Sequence, residues 1–390
     1  MNNSLFSVGI VAYNQHQYIL KCIDSILKQD YPQLELIIAD DHSYDFDRQA
    51  IEDYIKKHQR ANLVRYAIFS NDENLGIVRN CNKCISYMTG KYIKTIAADD
   101  MFYCNNALTK MHQILDDEDV QIVCSRAKAI TAEGKPTQDI YPTDYDFNTI
   151  SNMSSHELYV YMITRPWCPI FAPCVFMKKD FFDKMGRYDE KYRYTEDWPF
   201  WVKIARAGYN ITFSDEITIR YRYGGISNKG TNEFSINHLR AKHYQECAEL
   251  LRGELPYLKQ IGSKMQVKRC RYSADAIEMR RELECFWKHA SFKHKLSFRL
   301  AKIRTILYIK LMSAITHKTR FHIYTESVIG CILGILLYFQ VPLCPWSASM
   351  KLEAGVFLFV ILLLIGKIAA NMILALLSGR AAILTRLRRK

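Results

Sequence analysis

The sequence has no glycine-rich motif of the kinds that cradle the phosphates of a dinucleotide or a nucleoside triphosphate. No Gly-x-Gly-x-x-Gly follows the first predicted strand, and no phosphate-binding loop occurs anywhere in the 390 residues. Such loops let the backbone approach a pyrophosphate closely. Their absence argues against a dinucleotide-dependent oxidoreductase.

Clustered cysteines and a leader segment are also lacking. Of the twelve cysteines, only Cys81 and Cys84 have the spacing of metal ligands, and no second such pair follows. A four-ligand zinc site is therefore not expected, and scattered thiols are typical of a reducing cytosol. The chain opens without a basic segment followed by an apolar run, so no signal peptide is visible.

The net charge of +13 is unevenly distributed and lies next to apolar segments. Lys and Arg dominate Lys264 to Arg320, and uncharged Val328 to Val341 follows. Ala354 to Leu377 is long enough to cross a bilayer, although Lys367 lies inside it. The basic residues are therefore expected to meet anionic lipid rather than nucleic acid. Because the first apolar segment is short, a spanning hairpin and one lying in the interface both stay open.

Strand and helix patterns alternate from the beginning of the chain. Strands are expected at 6–12, 34–39, 64–68, 92–96 and 120–129, and helices at 16–29, 50–60, 77–89, 107–116 and 200–207. This alternation with short connections predicts an α/β fold whose mostly parallel sheet is flanked by helices. Ligands of such sheets bind beyond the carboxyl ends of the strands. The polar residues 134–155 are expected to form a loop.

Asp99 and Asp100 end an apolar strand abruptly. Magnesium and manganese prefer oxygen ligands, and they often take one or two carboxylates and complete their shell with substrate phosphates. The alternative is a solvated turn, where Asp is also favoured.

Two further segments at predicted strand or helix ends suit a nucleotide. Asp41 follows the second strand, where an acid can accept hydrogen bonds from a ribose or a base, or can simply cap a turn. Arg79 lies at the start of a predicted helix, a position that suits a diphosphate but is also common for a surface arginine.

Glu196 and Asp197 stand beside Trp198 and Trp201. Aromatic rings match the apolar faces of sugars, and a carboxylate held against an apolar wall keeps a useful basicity. Acids in the first turn of a helix also favour its dipole, and Pro199 supports a helix start there. Both interpretations are compatible.

In their order and spacing, these segments resemble the family 2 glycosyltransferases, which are inverting enzymes with the Rossmann-like GT-A fold. The matching stretches are Val8 to Asn14, Leu36 to Ser43, Asn71 to Asn80, Gly90 to Asp100 and Tyr192 to Tyr209. The segments Ala172 to Phe176 and Tyr221 to Ser227 resemble those of bacterial surface-polysaccharide transferases.

The resemblance implies a role for each matching residue. The donor-side residues would be Ala12, Tyr13, Asn14, Asp41, Arg79, Asp99 and Asp100. Asp99 would bind a divalent cation, Mn²⁺ or Mg²⁺, although Ala97 replaces the first acid of the family's Asp-x-Asp motif. Asp197 would be the catalytic base with Glu196 as its companion, and Trp198 and Trp201 would lie on the acceptor side.

The implied function is transfer of one sugar from a nucleoside-diphosphate sugar, in the first place a UDP-sugar, to a hydroxyl of a glycan or polyprenyl-linked acceptor. Processive synthases usually carry a Gln-x-x-Arg-Trp motif, and none of the five tryptophans here follows an arginine. A membrane-bound pseudoenzyme or assembly partner is the alternative, for which Ala97 is the main argument.

Three regions are expected along the chain. Residues 1–232 would form the GT-A catalytic domain, 233–322 a basic helical extension, and 323–390 a membrane-associated hydrophobic hairpin with a basic tail. Basic residues on both flanks of the hairpin would place the catalytic domain on the cytoplasmic face of the cytoplasmic membrane.

Overall fold

Four parallel strands form one half of a central sheet. The computed structural model describes residues 4–224 and 234–281. The four strands are β1 (Phe6–Ala12), β2 (Leu34–Asp40), β3 (Leu63–Ser70) and β4 (Tyr92–Ala97). They lie side by side in the order β3-β2-β1-β4. β1 and β2 are buried along almost their whole length, which explains their continuous apolar runs.

Helices connect these strands as the alternation predicts. They are α1 (His16–Leu27), α2 (Arg48–His58) and α3 (Ile77–Ser86). α3 approaches β1 closely at Gly9, where an added Cβ would lie 2.5 Å from Sγ of Cys84. The predicted Rossmann-like α/β class is therefore confirmed for this half.

The other half of the sheet is mixed, which corrects the expectation of a mostly parallel sheet. Its strands are β5 (Met101–Phe102), β6 (Ile122–Ile130), β7 (Pro136–Tyr141), β8 (Val175–Lys178) and β9 (Thr212–Arg222). β8 is inserted antiparallel between β4 and β6, whereas β9 runs parallel to β6. β5 and β8 are only two and four residues long, so they leave little periodicity in the sequence.

Residues 134–155 do not form the expected loop. They contain β7 and helix α5 (Asp144–Ile150). β7 pairs with β6 alone and is largely exposed, so its polar residues are those of an edge strand. The Thr143 hydroxyl accepts a hydrogen bond from the backbone N–H of Asp146 and so caps α5.

The remaining helices surround the mixed half and extend beyond it. They are α4 (Ala107–Leu115), α6 (Ser155–Ile163), α7 (Lys179–Lys184), α8 (Asp197–Arg206), α9 (Phe234–Ile261) and α10 (Lys264–Arg281). Within residues 4–224 and 234–281, none of the helices is long and apolar enough to cross a membrane. The predicted hairpin at 323–390 lies outside the described residues. The division of the chain into three regions remains a prediction.

Candidate active site

Loops from three parallel strands meet at the carboxyl edge of the sheet. The backbone N–H of Asp41 donates to the carbonyl oxygen of Ala12 at 2.9 Å, and that of Ala98 donates to Val11 at 3.1 Å. The N–H of Asn14 donates to the Ser43 hydroxyl at 2.7 Å. The strand-end residues predicted from the sequence thus share one edge.

The loop after β1 turns sharply at that edge. Ala12 is buried, Tyr13 is 47% exposed, and Asn14 has a φ of 53°. Asn tolerates this left-handed conformation better than most residues. Tyr13 and Asn14 are both exposed, and the Tyr13 ring offers the larger surface to a ligand.

Asp41 is buried and holds the loop that leads into α3. Its Oδ1 accepts the N–H of Leu75 at 2.8 Å and the amide of Asn71 at 2.9 Å, and its Oδ2 accepts the N–H of Gly76 at 2.9 Å. Gly76, with a φ of 83°, precedes the helix directly. The carboxylate predicted to bind the nucleoside therefore also fixes the start of α3.

Arg79 lies in the first turn of α3, and its side chain is 58% exposed. Its Nε lies 3.4 Å from a carboxylate oxygen of the exposed Glu190. An exposed ion pair of this kind is weak, so a phosphate can compete for the guanidinium.

The two acids after β4 point to different surroundings. Asp100 is 2% exposed, and its Oδ1 accepts the backbone N–H of Arg222 at 2.8 Å. Burial and the charge of Asp99 raise the pKa of Asp100 well above its usual value. This corrects the inclusion of Asp100 among the donor-binding residues, because its carboxylate faces the interior and holds the end of β9.

Asp99 is half-buried and is the acid of this pair that remains for a ligand. Burial raises the pKa of Asp99, while a hydrogen bond with the Gln15 side chain and the charge of Arg222 oppose the rise. The Arg222 guanidinium donates to the Asp99 carbonyl at 3.0 Å and lies 4.4 Å from the Tyr18 ring centroid. Arg222 thus supports the Asp99 turn from β9.

A cation at this edge would have a single protein carboxylate. Among the described residues, no group of three or more His, Cys, Asp or Glu side chains could hold a metal ion. Ala97 offers no ligand atom in its side chain. Asp99 therefore fits a hard cation that takes most of its oxygens from substrate phosphates, as Mg²⁺ commonly does.

Glu196 and Asp197 open α8, and both are half-buried. Burial and the charge of Asp197 raise the pKa of Glu196 to about 8. Burial also raises the pKa of Asp197. The backbone N–H of Trp198 and the charge of His243 lower it, but by less than burial raises it. Burial thus favours the neutral form of each acid, and because the two carboxyl groups repel each other when both are ionised, they titrate as a pair.

Glu196→Gln is expected to flatten the pH dependence of stability. The folded-state pKa of Glu196, about 8, lies above the unfolded value of 4.5, so the wild-type protein loses stability as pH rises between these values. The amide variant lacks this titration. Its stability relative to wild type should therefore be higher at pH 8.5 than at pH 5. Each kcal/mol corresponds to about 2–4 °C in Tm. Thermal melts at the two pH values test this, with the exposed Glu118→Gln as control; equal pH dependence in all three proteins would contradict it.

The acid pair lies near the donor-side loops. Burial, then the charges of Glu196, Asp41 and Asp197, raise the pKa of the Cys81 thiol in α3. The buried Cys81 thiol is therefore close both to the acid pair and to Asp41 on the donor side. The Arg193 guanidinium also donates to the Asn74 carbonyl at 2.9 Å, which joins the loop before α8 to the loop before α3.

Trp198 and Trp201 do not line an acceptor site. They are 3% and 1% exposed, respectively, and Trp201 packs against Phe200 with ring centroids 5.5 Å apart. The prediction that they lie on the acceptor side is wrong because the buried face of α8 carries them into the core. Aromatic composition alone did not distinguish this face from an exposed one.

Several residues of the site have no recognisable sequence signal. Arg222 is separated from Asp99 by 123 positions, and His243 and Glu246 on α9 contact the segment before the acid pair. Arg222 lies in the segment Tyr221 to Ser227, but the resemblance of that segment does not single it out, and nothing in the local sequence marks His243 or Glu246.

Comparison with known proteins agrees with this geometry. Residues 7–186 match the family model described as glycosyl transferase family 2. A glycosyltransferase of Methanocaldococcus jannaschii is 25% identical over 224 residues, which cover 57% of this chain and 72% of the relative. A glycosyltransferase of Rickettsia prowazekii is 28% identical over 240 residues, covering 60% and 68%.

Among solved structures, S. aureus TarS 1–349 in complex with UDP-GlcNAc aligns with a TM-score of 0.50 and 15% identity, over 76% of this chain and 79% of that one. At this identity the likeness concerns the fold alone. The mixed α/β sheet with acids at its strand ends has the GT-A architecture. The matched segment belongs to glycosyltransferase family 2, and the protein is a glycosyltransferase.

Proposed function

We propose that the enzyme moves one sugar, with inversion at the anomeric carbon, from a nucleoside-diphosphate sugar to a hydroxyl of a glycan or lipid-linked acceptor. The observation that carries this proposal is the half-buried pair of Glu196 and Asp197, whose raised pKa values suit a general base, beside the loops that follow the parallel strands.

The reaction is a single displacement. Asp197 accepts the proton of the acceptor hydroxyl as the oxygen attacks the anomeric carbon from the face opposite the nucleotide. The new carbon–oxygen bond forms as the bond to the diphosphate breaks, and the nucleoside diphosphate leaves. In this mechanism Glu196 is the protonated member of the pair and adds no second negative charge, which favours the ionised form of Asp197 that accepts the hydroxyl proton.

The donor would lie along the carboxyl edge of the sheet. Tyr13 offers an exposed ring to the base, and Arg79 is open to the diphosphate. The buried Asp41 would act on the nucleoside through the loop that it holds. Asp99 would hold a divalent cation, Mn²⁺ or Mg²⁺, together with diphosphate oxygens. Such a cation supplies charge neutralisation of the leaving group when it is bound.

Trp167 is a better candidate for the acceptor side than the buried tryptophans. It is 40% exposed, and the Arg165 guanidinium lies 5.5 Å from its ring centroid. Its neighbour Cys168 lies close enough to Asp197 for that carboxylate, after burial, to raise the pKa of the thiol. An exposed aromatic ring near the base suits the apolar face of a sugar.

Trp167→Ala is expected to raise the acceptor KM about 3- to 10-fold, the usual worth of an aromatic contact, with little change in donor KM. Trp167→Phe should retain most of the affinity. Tyr87→Ala removes another exposed ring, at the end of α3, and serves as the control. Acceptor titrations that are unchanged in the alanine variant would remove Trp167 from this role.

The proposal of a membrane-bound acceptor rests on the C-terminal sequence. Basic residues 264–320 and the apolar segments after them favour attachment to the cytoplasmic face of the cytoplasmic membrane, where lipid-linked glycans of bacterial surface polysaccharides are assembled. A preparation that glycosylated soluble sugars alone would count against a lipid-linked acceptor.

The proposed function is tested by nucleoside-diphosphate release from a panel of nucleotide sugars. The full chain, solubilised in detergent, is assayed with Mn²⁺, with Mg²⁺ and with chelator, in the presence of a lipid-glycan extract as acceptor. Release from one donor that the chelator abolishes is the expected result, with a UDP-sugar as the first candidate. Failure of every nucleotide to bind would instead favour the pseudoenzyme that Ala97 suggests.

A further inference from the structure

One face of α9 contacts the three residues that lead into the acid pair. The face consists of His243, Glu246 and Cys247, and we call it the α9 clamp. Its members are spaced i, i+3 and i+4, so they project from the same side of the helix. Their partners are the consecutive residues Arg193, Tyr194 and Thr195. Both the clamp and the acid pair lie outside the family-matched residues 7–186.

Glu246 holds the backbone of this segment with both carboxylate oxygens. The N–H of Arg193 donates to Oε1 at 2.8 Å, and the N–H of Tyr194 donates to Oε2 at 2.9 Å. Charge-assisted hydrogen bonds of this kind are about twice as strong as neutral ones. Two parallel bonds also fix the direction of the chain one residue before Thr195.

His243 contacts the next part of the segment. Its Nδ1 lies 3.0 Å from the Thr195 hydroxyl and 3.0 Å from the Tyr194 carbonyl oxygen. Its Nε2 lies 3.6 Å from Sγ of Cys247, which is itself 3.8 Å from the Thr195 hydroxyl. Thr195 is 1% exposed, so these contacts are shielded from water.

We propose that the α9 clamp positions the catalytic base: Glu246 fixes the backbone before the acid pair, and His243 supplies a positive charge beside it. These are positioning residues, because they act through Asp197. This proposal rests on the proposed function, in which Asp197 is the base.

The charges around His243 agree with this role. Burial lowers its pKa, but the Cys247 sulfur, the Tyr194 carbonyl and the Asp197 carboxylate outweigh burial and raise the pKa to about 10. The imidazole is then a cation at neutral pH, and it lowers the pKa of both Glu196 and Asp197.

Other titratable groups face the same place. The Glu246 carboxylate raises the pKa of Glu196, and the Cys168 thiol lies near Asp197. Lys242 is exposed, and its ammonium lies 5.7 Å from the Tyr194 ring centroid. Its charge is close to the segment but open to solvent, so its effect on the acids is screened.

The decisive experiment is the pH profile of kcat/KM for His243→Gln in the full-length enzyme. Loss of the imidazolium raises the pKa of Asp197, so the acid limb of the profile should move to higher pH by roughly one unit. Lys242→Gln removes an equal but exposed charge and should leave the limb in place.

Glu246→Gln tests the backbone contact. A carboxamide can accept one of the two N–H bonds but presents an NH₂ group to the other, so kcat should fall about 10-fold or more while donor Kd stays unchanged. Glu246→Asp keeps the charge and should lie between this variant and wild type. Glu249→Gln, an exposed carboxylate on the same helix, is the matched control.

Normal donor binding in each variant shows that the fold is retained. Two results with an active wild-type enzyme would overturn the clamp and leave the proposed function standing. One is an acid limb that does not move in His243→Gln, and the other is a wild-type kcat in Glu246→Gln. Absence of turnover by the unchanged protein overturns the proposed function and the clamp together. If Glu246→Gln does not fold, the kcat of Glu246→Asp decides in its place.

Discussion

Asp197→Asn is expected to lower kcat by ~10²–10⁴-fold, the usual contribution of a general base. The amide has nearly the shape of the carboxylate but cannot accept the proton of the acceptor hydroxyl. Because the donor is proposed to bind along the carboxyl edge of the sheet, its Kd should change little. Steady-state release of nucleoside diphosphate and calorimetric titration with the donor measure the two quantities.

Asp180→Asn is the matched control for this substitution. Asp180 is an exposed acid in the first turn of α7, so its loss removes a comparable interaction with a helix dipole without touching the site. The control should keep wild-type turnover. Turnover of Asp197→Asn within a few fold of wild type would remove Asp197 from the role of base.

Asp99→Asn is expected to lower kcat/KM by roughly 10²-fold, because a cation that stabilises the leaving diphosphate is worth several kcal/mol. Asp99 would be the one protein carboxylate on that cation, and an amide is a weaker ligand. The cation concentration needed for half-maximal rate should therefore rise. Rates measured across a Mn²⁺ titration separate this variant from Asp197→Asn, for which the cation requirement should not change.

Asp117→Asn, an exposed acid after α4, controls for a general loss of negative charge. An unchanged cation requirement in Asp99→Asn, together with normal turnover, would mean that Asp99 is not a ligand. If the wild-type enzyme turned over at its normal rate in excess chelator, the reaction would not require a divalent cation.

The sequence predicts the first half of the fold well because the signals there are local. β1 to β4 are apolar runs separated by amphipathic helices. Each parallel pair needs a helical crossover, and these crossovers are recognisable in the sequence as the helices between the strands. β8 is four residues long and pairs with strands more than 50 positions away, so no local pattern marks it. The edge strand β7 reads as a polar loop for a related reason, since exposure leaves it without an apolar stripe.

The candidate site divides in the same way. Asp41 and Asp99 could be placed at strand ends from the sequence. However, the side chains of the adjacent acids Asp99 and Asp100 point in different directions, and only the fold decides which of them faces a ligand. The tryptophans beside Asp197 show the same limitation, because helical spacing does not reveal which face of α8 is covered. The α9 clamp depends on contacts across 48 to 53 positions, beyond the reach of any short motif.

The anomeric configuration of the product tests the central claim most directly. The full-length enzyme is supplied with acceptor and with the donor from which it releases nucleoside diphosphate. The first glycoside formed is examined by NMR for the coupling at its anomeric position. A single displacement with Asp197 as base predicts the configuration opposite to that of the donor. Retention of the donor configuration would contradict that mechanism.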